Sequence, residues 1–451
     1  MINLHRSLNG AAALAVLGSF ALATSVSAQT IPELQQGLTV QFESDSAGTQ
    51  QAPQAAEVGR VVASICPRGA LDPAVTLGGD LQARCNELVF AADRPAVGEA
   101  LLQWTPEEAA TQGSVNVDIG NAQLKNIGAR LAALRGGVGR GNLAGLGYGN
   151  ALGGAASADS GFSRLGFFVN GDLQFGDKDA TARESGFDFD SRGITAGLDY
   201  RLTDRAVVGA AFGFSNADAD IDNNGGNLDA DGYSLSLYGS FYPTDTTYVD
   251  VSLTRGWNEF EQSRNIIYNA GTPVSQVASS NPDGDYWTGS IGAGMQFNHQ
   301  AWTYGPHARL EMTRADVEGF SETMSNPAAA GNGLGLRIND QSFRSTTLAL
   351  GGSVSYAMST GWGVLLPMAN LEYVHEFAND GDTITGTFVN DPTATAFNLQ
   401  LDDGDSSYFR VGFGASAQFA HGRSAFVAYQ GLLGYENLSS HSISAGLRLE
   451  F

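Results

Sequence analysis

The chain has 451 residues, 58 of them glycine, and its 47 acidic residues outnumber its 24 lysines and arginines, which gives a formal net charge of -23 at pH 7. That length accommodates two domains. So large a negative charge, with no basic stripe to offset it, excludes nucleic acid as a partner because phosphate would be repelled.

The first 28 residues are typical of a secretory signal peptide. Arg6 is the basic start, an apolar core runs from Ala11 to Leu22, and the small residues that end at Ala28 predict cleavage there. No later stretch reaches about 18 uninterrupted apolar residues, so a helical membrane anchor is not expected. A closed β-barrel is the remaining way to sit in a bilayer, because lipid offers no partners to unpaired backbone groups.

Residues 29–120 are expected to form a small helical region. Asp80–Ala92 and Ala96–Gln112 have helical character, and the Thr105-Pro106-Glu107-Glu108 sequence predicts a helix start. The chain has two cysteines, Cys66 and Cys85, and in an exported protein without a Cys-x-x-Cys motif a disulfide is favoured over a redox or metal role. Such a bond would stabilise this region by about 3 kcal/mol.

Residues 121–161 divide into a helix and a tether. The helix, Asn121–Arg135, carries leucine and isoleucine on one side together with three cations, and its length of about 22 Å approaches the thickness of a bilayer's apolar core. The tether that follows is rich in glycine and alanine, which predicts a flexible connection.

From Phe162 to Phe451 the apolar residues recur with period two. In the last segment Ile443, Leu447 and Leu449 alternate with polar residues that include Arg448. Since an arginine facing hydrocarbon costs about 2–4 kcal/mol near the midplane, Arg448 is predicted to point into a lumen. This pattern is typical of strands with one face on lipid and the other on a wet interior.

Twelve such segments can be counted in residues 162–451. They begin near Leu165, Phe187, Ala206, Tyr233, Tyr248, Tyr286, Trp302, Thr346, Gly363, Tyr408, Ser424 and Leu438. Short links, such as Thr203-Asp204 and His421-Gly422, alternate with long ones expected at Ala217–Asp231, Gln262–Gly284, Gly319–Asp340 and Ala378–Asp405. Short periplasmic turns and long outer loops are typical of an even-stranded outer-membrane barrel.

The second half of the chain resembles the translocator unit of the autotransporter family (type V secretion). The resembling stretches are Asn126–Gly137 (NIGARLAALRGG), Gly166–Gly171 (GFFVNG), Ala182–Asp190 (ARESGFDFD), Asp231-Gly232-Tyr233 and Gly446–Phe451 (GLRLEF). The resemblance implies a helix threaded through the barrel lumen, and assembly by the barrel-assembly machinery through the terminal Leu447, Leu449 and Phe451. It also implies delivery of the upstream part to the cell surface. Family passengers are commonly far longer than residues 29–120, so the short N-terminal region is expected to stay attached.

The fold class that follows is mainly β, a 12-stranded antiparallel transmembrane β-barrel with a lumenal linker helix, preceded by a small α-helical N-terminal region. The expected domains are residues 1–28 (signal peptide), 29–120 (N-terminal region), 121–161 (linker helix and tether) and 162–451 (barrel). A monomeric barrel in contact with outer-membrane lipid is expected, without a cofactor.

The lumen is predicted to hold charges of both signs. The residues expected to point inward include Asp172, Asp199, Arg201, Asp250, Arg309, Glu311, Glu372, Arg410, Arg448 and Glu450. The expected lumenal side chains of the linker helix are Asn126, Arg130, Leu131, Leu134 and Arg135. Because a cation in a partly dehydrated lumen needs a partner, Arg130 and Arg135 are expected to meet some of the wall acids.

Enzyme and metal motifs are weak. The sequence has no Gly-x-Ser-x-Gly elbow, and His375-Glu376 lacks the second histidine of a zinc protease helix. Acidic residues between Asp218 and Asp229 alternate as in a calcium loop but lack its glycine, and a solvated loop is the favoured interpretation. Three functions stay open: surface display of the N-terminal region, a channel or structural barrel with a periplasmic N-terminal region, and, with less support, a surface hydrolase.

Overall fold

The computed structural model describes residues 29–138, 164–378, 381–420 and 423–450. The predicted cleavage site at Ala28, most of the tether, the turn at His421-Gly422 and the terminal Phe451 lie outside the described residues.

Helices precede strands along the chain. The helices are α1 (Ile31–Ser46), α2 (Ala52–Leu71), α3 (Leu81–Phe90), α4 (Arg94–Gln103) and α5 (Glu107–Val138). The strands are β1 (Leu165–Lys178), β2 (Phe187–Thr203), β3 (Ala206–Ile221), β4 (Gly226–Phe241), β5 (Thr247–Asn269), β6 (Pro273–Ser280), β7 (Asp283–Met295), β8 (Phe297–His299), β9 (Trp302–Val317), β10 (Phe320–Ser321), β11 (Thr323–Met324), β12 (Leu336–Ile338), β13 (Gln341–Tyr356), β14 (Met358–Thr360), β15 (Gly363–Glu376), β16 (Thr383–Phe388), β17 (Phe397–Gln400), β18 (Ser407–Phe419), β19 (Arg423–Leu433) and β20 (Leu438–Glu450).

Twelve of the strands form a closed antiparallel barrel. Around the ring they follow the order β1, β2, β3, β4, β5, β7, β9, β13, β15, β18, β19 and β20. The ring closes between β1 and β20, where Gly166 lies opposite Glu450 and Lys178 opposite Leu438. The predicted twelve-stranded barrel is confirmed, and across the described residues each of its strands pairs on both sides, which leaves no free sheet edge among them.

The strand faces alternate as the period-two pattern predicts. On β4, Leu235 and Leu237 are 56% and 64% exposed on the outer surface, while Ser234 and Ser236 are buried in the lumen. On β20, Leu447 is 65% exposed and Arg448 is buried. The barrel therefore has an apolar exterior and a polar interior.

The predicted outer loops are wrong in extent, because several strands continue beyond the apolar belt. β3 runs to Ile221 and β4 begins at Gly226, so most of the expected Ala217–Asp231 loop is a hairpin. β5 likewise reaches Asn269 and pairs with β6 inside the expected Gln262–Gly284 loop. In these outer extensions the polarity is reversed, since Phe260, Ile266 and Tyr268 of β5 point inward and are buried.

A cap covers most of the outer end of the barrel. It consists of α1 to α4 together with a four-stranded sheet of β10, β12, β16 and β17. Helices and strand extensions share one apolar core, in which Trp104 packs 6.2 Å from Tyr268 and 5.8 Å from Phe388 between ring centroids. The Cys66–Cys85 disulfide joins α2 to α3 within this core.

The helix boundaries differ from those predicted. α1 and α2 were not expected, and the expected Ala96–Gln112 helix is interrupted after Gln103, where Pro106 cannot donate a backbone hydrogen bond. The lumenal helix starts at Glu107 rather than Asn121, so the expected boundary at residue 120 falls inside one continuous helix. Among the described residues, none of the helices combines the length and apolar character that crossing a membrane requires.

Candidate functional site: the lumen and its helix

α5 runs through the lumen from one end to the other. Its first turn lies at the level of Arg264 near the outer end of β5, whose guanidinium is 3.9 Å from the Glu108 carboxylate. Its last turns lie beside Asp250 near the short β4–β5 turn, where Arg135 forms an ion pair. The helix therefore enters from the end that carries the long strand extensions and leaves at the end of the short turns.

Two arginines of α5 bind carboxylates of the wall. Arg130 is buried, and its Nε donates to Asp199 Oδ2 over 2.7 Å while its guanidinium lies 5.1 Å from the Phe168 ring centroid. Asp199 also accepts a hydrogen bond from the Tyr238 hydroxyl over 3.3 Å. Removing one partner of such a buried, charge-assisted pair leaves the other charge without a counterion and lowers the stability of the folded protein by about 3–5 kcal/mol.

A glycine of the barrel makes room for this pair. A Cβ at Gly166 would lie 2.7 Å from Asp199 Oδ1 and 2.8 Å from Arg130 Nη2. Both contacts are closer than a Cβ tolerates, so a side chain at this position would displace the arginine or its acid.

Arg135 forms the second pair nearer the turns. It bonds to Asp250, which also accepts a hydrogen bond from the Ser240 hydroxyl over 2.6 Å. The Arg135 guanidinium lies 4.2 Å from the Tyr248 ring centroid, a cation–π arrangement. The two arginines thus anchor the helix at two levels of the lumen.

Amide side chains form a ladder between α5 and β5. Gln112 donates to Gln262 over 2.6 Å, and Asn116 accepts from Asn258 over 2.7 Å one helical turn later. These residues were missed at the level of sequence, although their spacing of four places them on one helix face. Each buried amide needs such a partner, because an unpaired one costs about 1–3 kcal/mol.

The ladder continues on β2, β4 and β1 farther along the helix. Gln123 donates to Ser236 over 3.0 Å and accepts from Thr195 over 2.8 Å. Asn126, a predicted lumenal residue, donates to Asp172 and, over 3.2 Å, to Thr195. The helix is therefore positioned by polar contacts on several neighbouring strands.

The last turns of α5 carry the apolar contacts. Leu131 and Leu134, both predicted to be lumenal, are buried with Ile127 in a small cluster against Phe168 and Tyr238. Arg448 of β20, which was predicted to point inward, donates to the carbonyl oxygen of Ala133 over 3.2 Å. A cation at this point satisfies a carbonyl near the negative end of the helix dipole.

A second group of charges lies on β9, β15 and β18. Glu311 pairs with Arg309 over 2.9 Å and with Arg410 over 2.8 Å, and Glu372 pairs with Arg309 over 3.2 Å and with His307 over 2.8 Å. The predicted lumenal charges of both signs therefore neutralise one another on this wall. Arg201, also predicted to point inward, is partly buried near the β2–β3 turn.

The cap is connected to the barrel by polar contacts around its core. Arg264 pairs with Glu322 over 2.6 Å and donates to the carbonyl oxygen of Gln103 over 2.9 Å, which joins α4 to β5. Asp80, at the start of α3, accepts backbone hydrogen bonds from Gly331 and Gly333 of the β11–β12 connection, over 2.7 and 2.8 Å.

The exterior of the cap adds one pair with a perturbed carboxyl. Glu57 of α2 binds Arg60 and also accepts the backbone N–H of Asn398 over 2.9 Å. Burial acts to raise the pKa of Glu57, but the Arg60 guanidinium and this N–H outweigh it and hold the pKa below its usual 4.5.

The residues of the incomplete zinc-protease and calcium-loop motifs lie in strands or at strand ends and contact neighbouring strands. His375 lies at the end of β15, where its ring meets that of Phe377 at 4.8 Å and its Nδ1 is 3.1 Å from the Ser407 hydroxyl. Asp218 and Asp229 lie on paired strands rather than in a loop. Across the described ranges, no group of three or more His, Cys, Asp or Glu side chains has the geometry to hold a metal ion.

Comparisons with known proteins agree on the barrel. The sequence model of the Autotransporter beta-domain family matches residues 167–430. YaiT of Escherichia coli K12 is 24% identical over 321 residues, which cover 69% of this chain and 27% of YaiT. Outer membrane protein B of Rickettsia prowazekii is 23% identical over 301 residues, which cover 63% of this chain and 18% of that protein. The chain thus spans about a quarter or less of the length of these relatives.

A solved structure has the same fold. The translocator domain of the autotransporter NalP from Neisseria meningitidis superposes with a TM-score of 0.50 at 16% identity, covering 74% of this chain and 98% of that domain.

Proposed function

This chain belongs to the autotransporter β-domain family, and on that premise we propose that its barrel, a translocator of the bacterial outer membrane, displays the cap at the cell surface and keeps it there. The observation that carries the proposal is the course of α5. The helix connects the cap, at the end of the long strand extensions, to the end of the short turns. Short turns face the periplasm in outer-membrane barrels, so this course supports a cap outside the cell.

Retention of the cap is supported by its core. Phe42, Leu81, Leu101 and Trp104 of the helical region are fully buried, and they share their core with Ile266, Tyr268 and other residues of the strand extensions. Each fully buried side chain of this kind contributes about 1.5–3 kcal/mol relative to exposure. Separation would expose both faces to water, so a released, freely diffusing passenger is disfavoured.

Assembly is proposed to follow the family's route. Leu447 and Leu449 lie on the outer face of β20, 65% and 37% exposed, in the stretch that leads to Phe451. We propose that the barrel-assembly machinery recognises this C-terminal strand and that the barrel remains monomeric, in contact with lipid alone.

An enzymatic role is not part of the proposal. His375 and Glu376 are occupied by strand-end contacts, with Glu376 accepting hydrogen bonds from Ser345 over 2.5 Å and from the backbone of Thr346 over 2.6 Å. These contacts support a structural role for the residues that most resemble a catalytic motif.

Cysteine labelling on intact cells tests the display. Val40 of α1 is 64% exposed on the cap, and Thr244 is exposed in the β4–β5 turn. A membrane-impermeant maleimide should label Val40→Cys on intact cells, and should label Thr244→Cys only after the outer membrane is permeabilised. The native cysteines form the disulfide and do not react, so each variant reports one position. Labelling of Thr244→Cys but not Val40→Cys on intact cells would instead support a barrel whose N-terminal region is periplasmic.

A further inference from the structure

α5 lies against one side of the lumen and leaves a passage on the other. Its buried face packs against β1 to β5, β7, β9 and β13. The opposite face carries Ser114, Asp118, Asn121 and Lys125, whose spacing of three and four residues aligns them in one stripe. This stripe lines a cavity of about 390 Å³, whose other wall includes Gln430, Ser440 and Ser442.

The cavity is large enough for hydrated ions. Its volume of about 390 Å³ is many times what a single water molecule needs. Its wall is polar, with serine, glutamine and asparagine side chains contributed by β1, β19, β20 and α5. Such a lining holds water, in contrast to an apolar void of similar size.

The cavity opens at the outer end of the barrel, where the cap leaves β18 to β20 uncovered. The residues at this mouth belong to the β15–β18, β19–β20 and β1–β2 connections. Acids predominate there, and they are Glu376, Asp382, Asp402, Asp403, Asp405 and Glu436. Within the described residues these acids form no ion pair, and their recorded donors are neutral, such as the backbone N–H of Gly381 at 2.8 Å from Asp403.

Cations also line the cavity, and the exposed Arg344 of β13 lies near Asp382 at the mouth. Lys178 pairs with Glu184, and Arg410 pairs with Glu311. Lys125, on the helix stripe, donates to the neutral amide oxygen of Gln174 over 3.3 Å, and the carboxylates of Asp118 and Asp172 lie near it. Its ammonium therefore faces the passage as a tethered positive charge below an acidic mouth.

The passage continues toward the periplasm beyond Lys125. A Cβ at Gly128 would meet nothing within 4 Å, and Ala132 is exposed on the same side of the helix. On the facing wall Met368 is 39% exposed although its register places it in the lumen, opposite Gly414. Small residues on both surfaces thus leave open space along the lower half of the helix.

We propose that this passage conducts small cations across the outer membrane while α5 remains in the lumen, and that Lys125 restricts the flow. The acidic mouth concentrates cations and repels anions, because charged rings at a pore entrance act on every ion that enters. Lys125, below this mouth, opposes the flow because its ammonium repels cations that enter the passage. The activity goes beyond display of the cap and does not depend on it.

Planar bilayer recordings of the purified full-length chain test the proposal. In a potassium chloride gradient the wild-type protein should give a small steady current. The sign of its reversal potential should indicate that potassium passes more readily than chloride. Lys125→Gln should raise the conductance several-fold and keep the cation preference. Arg192→Gln is the matched control, since Arg192 is a cation exposed on the outer face of β2, and its conductance should equal that of the wild type.

A triple substitution separates the mouth from the helix. Asp402→Asn, Asp403→Asn and Asp405→Asn together should shift the reversal potential toward zero, because the substitutions remove charge but keep the hydrogen-bond acceptors. Heat-modifiable migration on gels confirms that each variant is folded. The proposal would be overturned by equal conductance in the wild type and Lys125→Gln, or by an anion-selective current. Large intermittent openings that Lys125→Gln leaves unchanged would also overturn it, because they would assign the current to departure of the helix from the lumen.

Discussion

The two halves of a single barrel strand have opposite polarity in this protein. In the lower half of β5, Val251 and Leu253 face outward, 47% and 50% exposed, while Ser252 and Thr254 are buried in the lumen. In the upper half, Glu261 is outside and Phe260 and Ile266 are inside. The outer face of β5 is apolar in the lower half, which lipid surrounds, and polar in the upper half, which water surrounds. The apolar side chains of the upper half therefore face inward.

The reversal marks the outer boundary of the membrane. On β5 it occurs at Trp257, whose ring stacks against Tyr233 of β4 with centroids 5.7 Å apart, and Trp287 of β7 lies beside Arg255 at the same level. Aromatic residues are enriched at such interfaces. Above this level the protein has the architecture of a soluble domain, with an apolar core shared by helices and strands, and below it the architecture of a membrane barrel.

The largest effect is expected in the core above the boundary. Phe260→Ala removes a ring that is 1% exposed, and should destabilise the cap by about 3–5 kcal/mol. Urea unfolding followed by Trp104 fluorescence, in a background whose other tryptophans are replaced by phenylalanine, measures the change. Val251→Ala on the lipid face of the same strand is the control, and an equal loss in both variants would contradict the distinction.

A charge on the lipid face should come next. Leu253→Arg places a cation in hydrocarbon and should cost about 2–4 kcal/mol, reducing the fraction of chain that folds into lipid vesicles. The gel shift of the unheated barrel reports that fraction. Glu261→Arg reverses a charge on the same face above the boundary and should insert normally, so failure of both variants would show that the boundary is misplaced.

Removal of the disulfide should affect the cap alone. Replacement of Cys66 and Cys85 by alanine releases the link between α2 and α3 and should lower the stability of the cap by about 3 kcal/mol. The Trp104 transition should move to lower urea while the gel shift of the barrel stays unchanged. Parallel loss of both signals would indicate that cap and barrel unfold as one unit.

The smallest effect is expected at the exterior of the cap. Glu57→Gln removes a partly exposed ion pair with Arg60 and should cost less than about 1 kcal/mol at pH 7. Because the pKa of Glu57 is lowered from 4.5, its carboxylate contributes fully above that pH, and the contribution is lost as pH falls through the lowered pKa. The difference between variant and wild type in protease digestion of the cap should therefore shrink in acid. A difference that grows on acidification would contradict this assignment.

The barrel could be predicted because lipid imposes a strict rule on it. A residue that faces hydrocarbon must be apolar, so period two survives along segments such as Tyr233–Phe241 and reveals the number of strands. Above the boundary the rule is inverted. Residues such as Ile266 and Tyr268 still lie two positions apart, but polar neighbours such as Arg264 and Asn265 favour a loop at Gln262–Gly284.

The cap was only partly predictable. α2 contains Pro67 in its last turn and ends in a run with glycine, features that indicate an interruption rather than a twenty-residue helix. The arginines of α5 could be recognised as cations that need partners, whereas Asp199 and Asp250 could not be chosen among the wall acids. That choice depends on the depth and rotation of the helix in the lumen, which the amide ladder from Gln112 to Asn126 sets in three dimensions.

A scan of spin labels along the outer face of β5 tests the central claim most directly. Single cysteines at Val251, Leu253, Glu259, Glu261 and Asn265 would carry the label in vesicles, with relaxation measured against dissolved oxygen and a water-soluble nickel complex. The two positions below Trp257 should be accessible to oxygen, and the three above it to nickel, with the change falling between Leu253 and Glu259. Uniform accessibility along the strand would contradict a barrel that is embedded in the membrane below the aromatic residues and stands in water above them.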